Sequence, residues 1–300
     1  MPLCPACGAP LDAGALRFCS QCGAPLPGGG TAPALTALVA CAANAGRQRG
    51  AEPDEDSVLT CLSEAVFEDR PQALACCILA DGMGGLADGQ VASRLVIRTL
   101  LGALLPPLLP EWAAGRTPAP AQAVEAIRRA VALAGAAVRE RNAGAAAEMG
   151  STVVLALLVG SDLFTAAVGD SRVYLLAAAG RLTRLHRDDS LVESLVEAGT
   201  LTREQVYSDP RRNVLTRSLG MAVDAPEPVA VRYLGLAPGD RLLLCSDGLW
   251  EMLRDERIAA ILGAAASPGV ACRELVAAAD AAGGEDNISA AVLFALAAPT

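Results

Sequence analysis

Two distant stretches carry residues that could do chemistry together. An apolar run ending at Leu79-Ala80 leads into Asp81-Gly82-Met83-Gly84-Gly85, and Leu242-Leu243-Leu244-Cys245-Ser246 leads into Asp247-Gly248. In each, a hydrophobic strand delivers a carboxylate to the point where it gives way to a loop. The glycines then let the backbone close around whatever that carboxylate holds. One Asp-Gly is an ordinary turn; two of them ending apolar strands predict a shared acidic site. Several carboxylates in one cleft repel each other unless cations neutralise them. An all-oxygen donor set favours Mg2+ or Mn2+ over zinc.

A second set of candidates surrounds the first. Arg47 and Arg49 stand just before the acidic Asp54-Glu55-Asp56. Guanidinium forks grip phosphate oxygens while neighbouring acids hold a cation or its waters, so this loop suits a site that binds both; a solvated charged loop is the plainer alternative. Two divalent ions about 3.5–4 Å apart can acidify a bridging water and clamp phosphoryl oxygens for in-line displacement.

The N-terminus holds a different chemistry. Cys4-Pro-Ala-Cys7-Gly8 and Cys19-Ser-Gln-Cys22-Gly23 are near copies. Four thiolates at this spacing form a tetrahedral shell, so the pattern predicts one structural Zn2+ with no ligand position left open. It is similar to the short zinc-ribbon modules of microbial regulatory proteins, and its expected use is docking to a protein partner. The other six cysteines, Cys41, Cys61, Cys76, Cys77, Cys245 and Cys272, fall in apolar segments and read as reduced core thiols. Adjacent Cys76-Cys77 inside an apolar strand does not fit a disulfide framework.

These candidates need elements to position them. Residues 1–27 read as the zinc ribbon, 28–34 as a Pro/Gly linker, and 35–298 as one larger domain. Apolar runs predict strands over 35–43, 57–63, 73–79, 153–159, 163–168, 172–176, 229–233, 241–246 and 288–295. Apolar residues at three- and four-residue spacing predict helices over 87–105, 121–142, 191–207, 255–262 and 270–282. The Pro-rich stretch 106–120 joins the first two helices. Strands in sequential runs, with paired helices between them, indicate α+β layers rather than alternating parallel units.

Composition narrows the function. With 300 residues and 53% hydrophobic types, the chain can bury a sizeable core. A net charge of −9 argues against nucleic-acid binding, which needs a basic stripe. The apolar stretch 95–109 is cut by Arg98, Pro106 and Pro107, so no membrane span is expected. No basic start followed by an apolar core is present, and the expected location is cytoplasmic.

Six motifs stand in a telling order: Asp81-Gly-Met-Gly-Gly, Met149-Gly-Ser-Thr, Gly169-Asp-Ser-Arg, Asn213-Val-Leu-Thr-Arg-Ser-Leu-Gly220, Ser246-Asp-Gly and Gly284-Glu-Asp-Asn. Together they resemble the bacterial branch of the metal-dependent protein serine/threonine phosphatases, the PP2C or PPM family, over residues 35–297. The resemblance implies a four-layer α-β-β-α sandwich, two antiparallel sheets between helix pairs, with metals at one rim. It implies that Asp81 bridges two Mg2+ or Mn2+ ions with the Gly82 carbonyl as a further ligand. Asp247 and Asp286 would be the other ligating acids, and Asp56 would hold metal-bound water. Arg49 matches the phosphate-gripping arginine, and Asp170 and Asn287 match supporting positions. Bacterial members often carry a third ion, for which Asp247 and Glu148 are the candidates here.

The departures matter too. The spacing from Arg49 to Asp56 exceeds the family's by two residues, so Arg47 is an alternative phosphate grip. Met83 stands where eukaryotic members carry a histidine, leaving protonation of the leaving group to metal-bound water. The sole histidine, His186, sits in a charged segment and reads as a surface residue. Residues 191–212 resemble the flap near the metal rim. The implied activity is hydrolysis of phosphoserine and phosphothreonine by a metal-activated water, with phosphoproteins and a cognate kinase as partners. A phosphoprotein-binding scaffold without turnover and a hydrolase of small phosphate esters are the alternatives.

Overall fold

The apolar runs that show no alternation are strands buried on both faces. In the computed structural model, which describes residues 35–50, 52–67, 70–84, 88–144, 148–221 and 228–298, β3 spans Arg70–Met83 and β5 spans Val153–Val159. Leu74, Cys76, Ile78 and Ala80 of β3 point into one core, and Ala73, Ala75, Cys77 and Leu79 point into another. The strand period of two is intact; both faces are simply dry. The proposed zinc ribbon (1–27) and linker (28–34) lie outside the described residues.

One sheet runs β2(Asp56–Phe67)-β3-β5-β6(Asp162–Val168)-β9(Val231–Gly235), with the short β4(Gly150–Ser151) added to the end of β3. The other runs β1(Leu35–Asn44)-β11(Ile288–Ala297)-β10(Arg241–Cys245)-β7(Arg172–Leu176)-β8(Leu182–Arg184). All pairings are antiparallel. Helices α1(Asp88–Leu104) and α3(Pro120–Asn142) cover the first sheet through Val96, Leu100, Ile127 and Ala134. Helices α7(Asp255–Ala264) and α8(Pro268–Ala282) cover the second through Ile258, Leu262, Cys272 and Leu275. A third core, including Leu158, Leu244 and Leu293, fills the space between the sheets. Three dry interfaces make four layers, the sandwich expected above.

Several local expectations change. β3 does not stop at Leu79: it runs through Asp81 to Met83, because Gly82 and Met83 pair with Ser151 and Gly150. The Pro-rich joint contains a short helix, α2(Leu109–Ala113), which starts with Pro110 in its first turn and buries Trp112. The stretch 191–207 is two helices, α4(Leu191–Glu197) and α5(Arg203–Val206), separated at Gly199 with positive φ and restarted by a Thr202–Gln205 capping box. Cys41 is exposed rather than buried, because it lies toward the Asn44 end of β1, away from the buried Leu35 and Ala37. His186 is half-buried, its Nε2 2.9 Å from the Thr165 hydroxyl, and burial followed by the field of Arg232 lowers its pKa to about 3. Among the described residues, no helix is long and apolar enough to cross a membrane.

Candidate metal centre

The two strands at one edge of the first sheet set the site's geometry. Asp81 near the end of β3 is the direct cross-strand partner of Asp56, the first residue of β2. Like charges placed opposite each other in an antiparallel pair destabilise it, so this register is a cost unless something offsets it. The Asp81 backbone is held from the other side. Its N–H donates to Thr152 Oγ1 at 3.0 Å, while its carbonyl accepts from Thr152 N at 2.8 Å and from Ser151 Oγ at 3.0 Å. The Gly-Ser-Thr motif therefore clamps the main chain of Asp81 and leaves its carboxylate uncommitted. Gly82 is needed for clearance: a β-carbon there would collide with the Gly89 carbonyl at the start of α1.

Asp247 and Asp286 arrive from the second sheet. Asp247 follows β10 and opens the four-residue helix α6(Asp247–Trp250). Ser246 behind it binds the facing strand, accepting from Ser289 N at 2.9 Å and donating to the Asn287 carbonyl at 3.3 Å. Asp286 lies in the loop before β11, where its Oδ1 accepts from Asn287 N at 2.8 Å and from Arg49 Nη1 at 3.0 Å. Asn287 is a staple: it accepts from Glu55 N and donates to the Ala45 carbonyl, both at 2.9 Å.

The acids act on one another. Asp81 is held well above the carboxylate range by burial first, then by the fields of Asp56, Asp247, Asp170 and Asp286. Asp247 is raised likewise, by burial and then by Asp170, Asp286, Glu251 and Asp56. Burial pushes Asp56 to about 8, only partly eased by the nearby Ser289 and Ser246 hydroxyls, and neither of its carboxylate oxygens reaches hydrogen-bond geometry with any group. Asp170 rises to about 7 through burial and Asp188; its carbonyl accepts from Trp250 Nε1 at 2.9 Å, which fixes the 169–171 turn against α6. Among the described residues no three acid, histidine or cysteine side chains are gathered into a closed ligand cage. The acids share a cleft and repel within it.

The two arginines separate cleanly. Arg49 faces the site, pairing with Asp286 and with Glu55 at 3.0 Å each, its side chain 21% exposed. Arg47 turns outward to Asp280 at 2.8 Å and is 54% exposed. Glu148 is exposed just before β4. One residue escaped the sequence reading. Glu251 sits four residues after Asp247, near enough to raise its proton affinity, and it pairs at 2.8 Å with Arg212 at the end of the 191–212 segment. The i, i+4 spacing from Asp247 was the available signal.

Buried carboxylate oxygens without partners, on acids that raise one another's pKa, make this cluster a candidate for binding hard cations. Known proteins share the fold and the sequence pattern that frame these acids. The protein phosphatase 2C family profile matches residues 47–281. The chain is 38% identical over 226 residues to serine/threonine protein phosphatase PstP of Mycobacterium tuberculosis, covering 71% of this chain and 39% of that protein. It is 32% identical over 231 residues to serine/threonine phosphatase stp of Listeria monocytogenes, covering 75% of this chain and 85% of that one. Among solved structures, Mycobacterium tuberculosis PstP superposes with a TM-score of 0.70 at 31% identity, over 86% of this chain and 98% of that one. The PstP catalytic domain in complex with two manganese ions superposes with a TM-score of 0.67 at 30% identity, over 87% and 99%.

Proposed function

The chain belongs to the protein phosphatase 2C family, and from that premise we propose that it is a metal-dependent protein serine/threonine phosphatase that reverses kinase signalling. The observation that carries this reading is the set of converging acids in which Asp56 keeps two buried, unpartnered oxygens. Asp81, Asp247 and Asp286, with the Gly82 carbonyl, are the groups that would hold two Mg2+ or Mn2+ ions; a third ion would fall to Asp247 and Glu148. Bound there, the ions supply Lewis-acid activation of water and neutralise phosphoryl charge.

The chain's own residues do the rest. Thr152 and Ser151 hold Asp81 in register so that its carboxylate faces the cleft. Asp56, directly across from Asp81, is the buried acid on the inner side that would hold a metal-bound water. Arg49 stands at the edge of the site with its guanidinium on Asp286 and Glu55, placed to exchange part of that pairing for substrate phosphate oxygens. Asn287 ties the arginine loop to the last strand and keeps the two halves of the cleft together. The flap 191–212 meets the rim through Arg212, which pairs with both Glu251 and Glu285. Cys4, Cys7, Cys19 and Cys22 are proposed to bind one structural Zn2+ and dock a protein partner, which metal analysis of the purified chain tests.

The deciding experiment is hydrolysis of a phosphothreonine peptide and of small phosphorylated metabolites with Mn2+, Mg2+ or EDTA. Peptide turnover that needs Mn2+ or Mg2+ and stops with EDTA is expected. Peptide binding without turnover would replace the enzyme with a scaffold, and faster turnover of metabolites would move the substrate class.

A further inference from the structure

A cavity lies apart from the acids of the proposed metal centre, and its chemistry is the opposite. It has a volume of about 710 Å3 and opens between α3 and the 216–221 segment, with Val168 and Val229 at its inner end. That size falls within the range of small-molecule sites, roughly 300–1,000 Å3. None of the acids of the proposed metal centre lines it.

Its charge is reversed relative to the whole chain. Arg128, Arg129 and Arg139 come from α3 and Arg217 from the facing segment, against one lining carboxylate, Glu125. Arg217 is also within the field of Asp189, which offsets part of its charge. In a chain of net charge −9, this is a local concentration of guanidinium groups. Two polar groups on residues that line the cavity are buried without a partner: Arg128 Nε and the hydroxyl of Ser218, a residue only 7% exposed.

The rest of the lining is apolar. Val131, Val168, Leu219 and Val229 supply carbon surface. Gly135 in mid-α3 keeps the space open: a β-carbon there would stand 3.3 Å from Arg139 Nη1 and 3.4 Å from a Leu219 methyl. An apolar floor beneath guanidinium forks recognises a carbon body that carries phosphate, because the forks pair with phosphate oxygens bidentately while the floor covers the skeleton.

We propose that this cavity binds a small organic phosphate, with its phosphate between the guanidinium groups of Arg128 and Arg139 and its carbon body on the Val131–Leu219 floor. The site is separate from the metal centre, and its occupancy does not depend on catalysis.

The test uses the full chain loaded with Mn2+ and two probes, the fluorescent aromatic sulfonate 8-anilinonaphthalene-1-sulfonate and adenosine 5′-monophosphate as its competitor. Saturable dye fluorescence displaced by the nucleotide is expected, with inorganic phosphate alone displacing it at least about tenfold less well because it leaves the floor uncovered. Arg128→Gln and Arg139→Gln should each weaken the competitor roughly tenfold, the worth of one charge-assisted hydrogen bond. Arg139 is exposed, so its variant keeps the question answerable even if Arg128→Gln fails to fold. Asp247→Asn should leave both probes bound as before. Unchanged binding in both arginine variants, or loss of binding in Asp247→Asn, overturns the proposal. Neither outcome bears on phosphatase turnover, so the two readings fail independently.

Discussion

Two regions of the molecule bury charge at similar depth and on opposite terms. Behind the flap, every buried charge has a partner. The Arg172 guanidinium lies 3.4 Å over the Trp250 ring, pairs with Asp188 at 2.7 Å and donates to Tyr174 Oη at 3.0 Å. Arg184 joins Asp188 to Glu193 at 2.9 Å each, and Arg203 closes on Glu193 at 2.7 Å. At the rim, Asp56, Asp81, Asp170 and Asp247 meet mainly other acids, and the Asp56 oxygens meet no hydrogen-bond partner. Local satisfaction marks the first region as architecture: it fastens the start of the flap to the second sheet. Local frustration is the ground on which the second is proposed as a site, since such a conflict is eased when something from outside resolves it.

The comparison breaks most sharply in the rim. Asp81→Ala or Asp247→Ala should lower Mn2+-dependent hydrolysis of p-nitrophenyl phosphate on the order of 10³-fold while the protein stays folded; activity near wild type would remove the acids from the chemistry. The converse holds behind the flap. Asp188→Asn leaves Arg172 and Arg184 short of a buried counter-charge, and urea denaturation should show a loss of about 3 kcal/mol, with activity per folded molecule preserved. A loss of activity without a loss of stability would make that network functional after all.

Acidity sharpens the contrast further. Asp56 and Asp170 titrate near 8 and 7 in the folded protein against 3.8 in the open chain. The folded state therefore holds more protons between those values, and its stability falls as pH rises through that window. In EDTA, the melting temperature should decline from about pH 4 to about pH 8, and Mn2+ should restore it at the upper end. A melting temperature that climbs with pH in EDTA contradicts the repulsion. The smallest effect separates the arginines: Arg49→Ala should raise KM for the same substrate about tenfold, and Arg47→Ala less than about twofold. The reverse order would move the phosphate grip outward to Arg47.

Much of this was legible in the sequence, for a physical reason. Strands such as β3 and β10 are buried on both faces, so they read as unbroken apolar runs, and the acids that follow them stand out by contrast. What escaped depends on neighbours far along the chain. Arg47 and Arg49 are two residues apart and chemically alike; only the folded positions of Asp280 and Asp286 tell them apart. His186 reads as solvated until Thr165 arrives from another strand. The three-residue strand β8 is too short for any periodicity, and it exists because β7 offers it an edge. Glu251 is unremarked beside Asp247 until Arg212 reaches it from the flap.

The pairing of β1 with β11 has a consequence for how the protein is made. Leu35 meets Ala297 and Asn44 meets Ile288, so the earliest and latest strands of the domain lie side by side. The loop carrying Gly46 packs directly on the Asp286 carbonyl, so closely that no β-carbon fits between them. A chain still on the ribosome, with its last forty residues inside the exit tunnel (~1.5–3.5 Å per residue), has Asp56 and Asp81 but neither Asp286 nor the strand that aligns it. The cleft therefore closes only once Ile288–Ala297 has left the tunnel and paired with Leu35–Asn44, and a product terminated before Asp286 lacks one of the acids proposed to hold the metals.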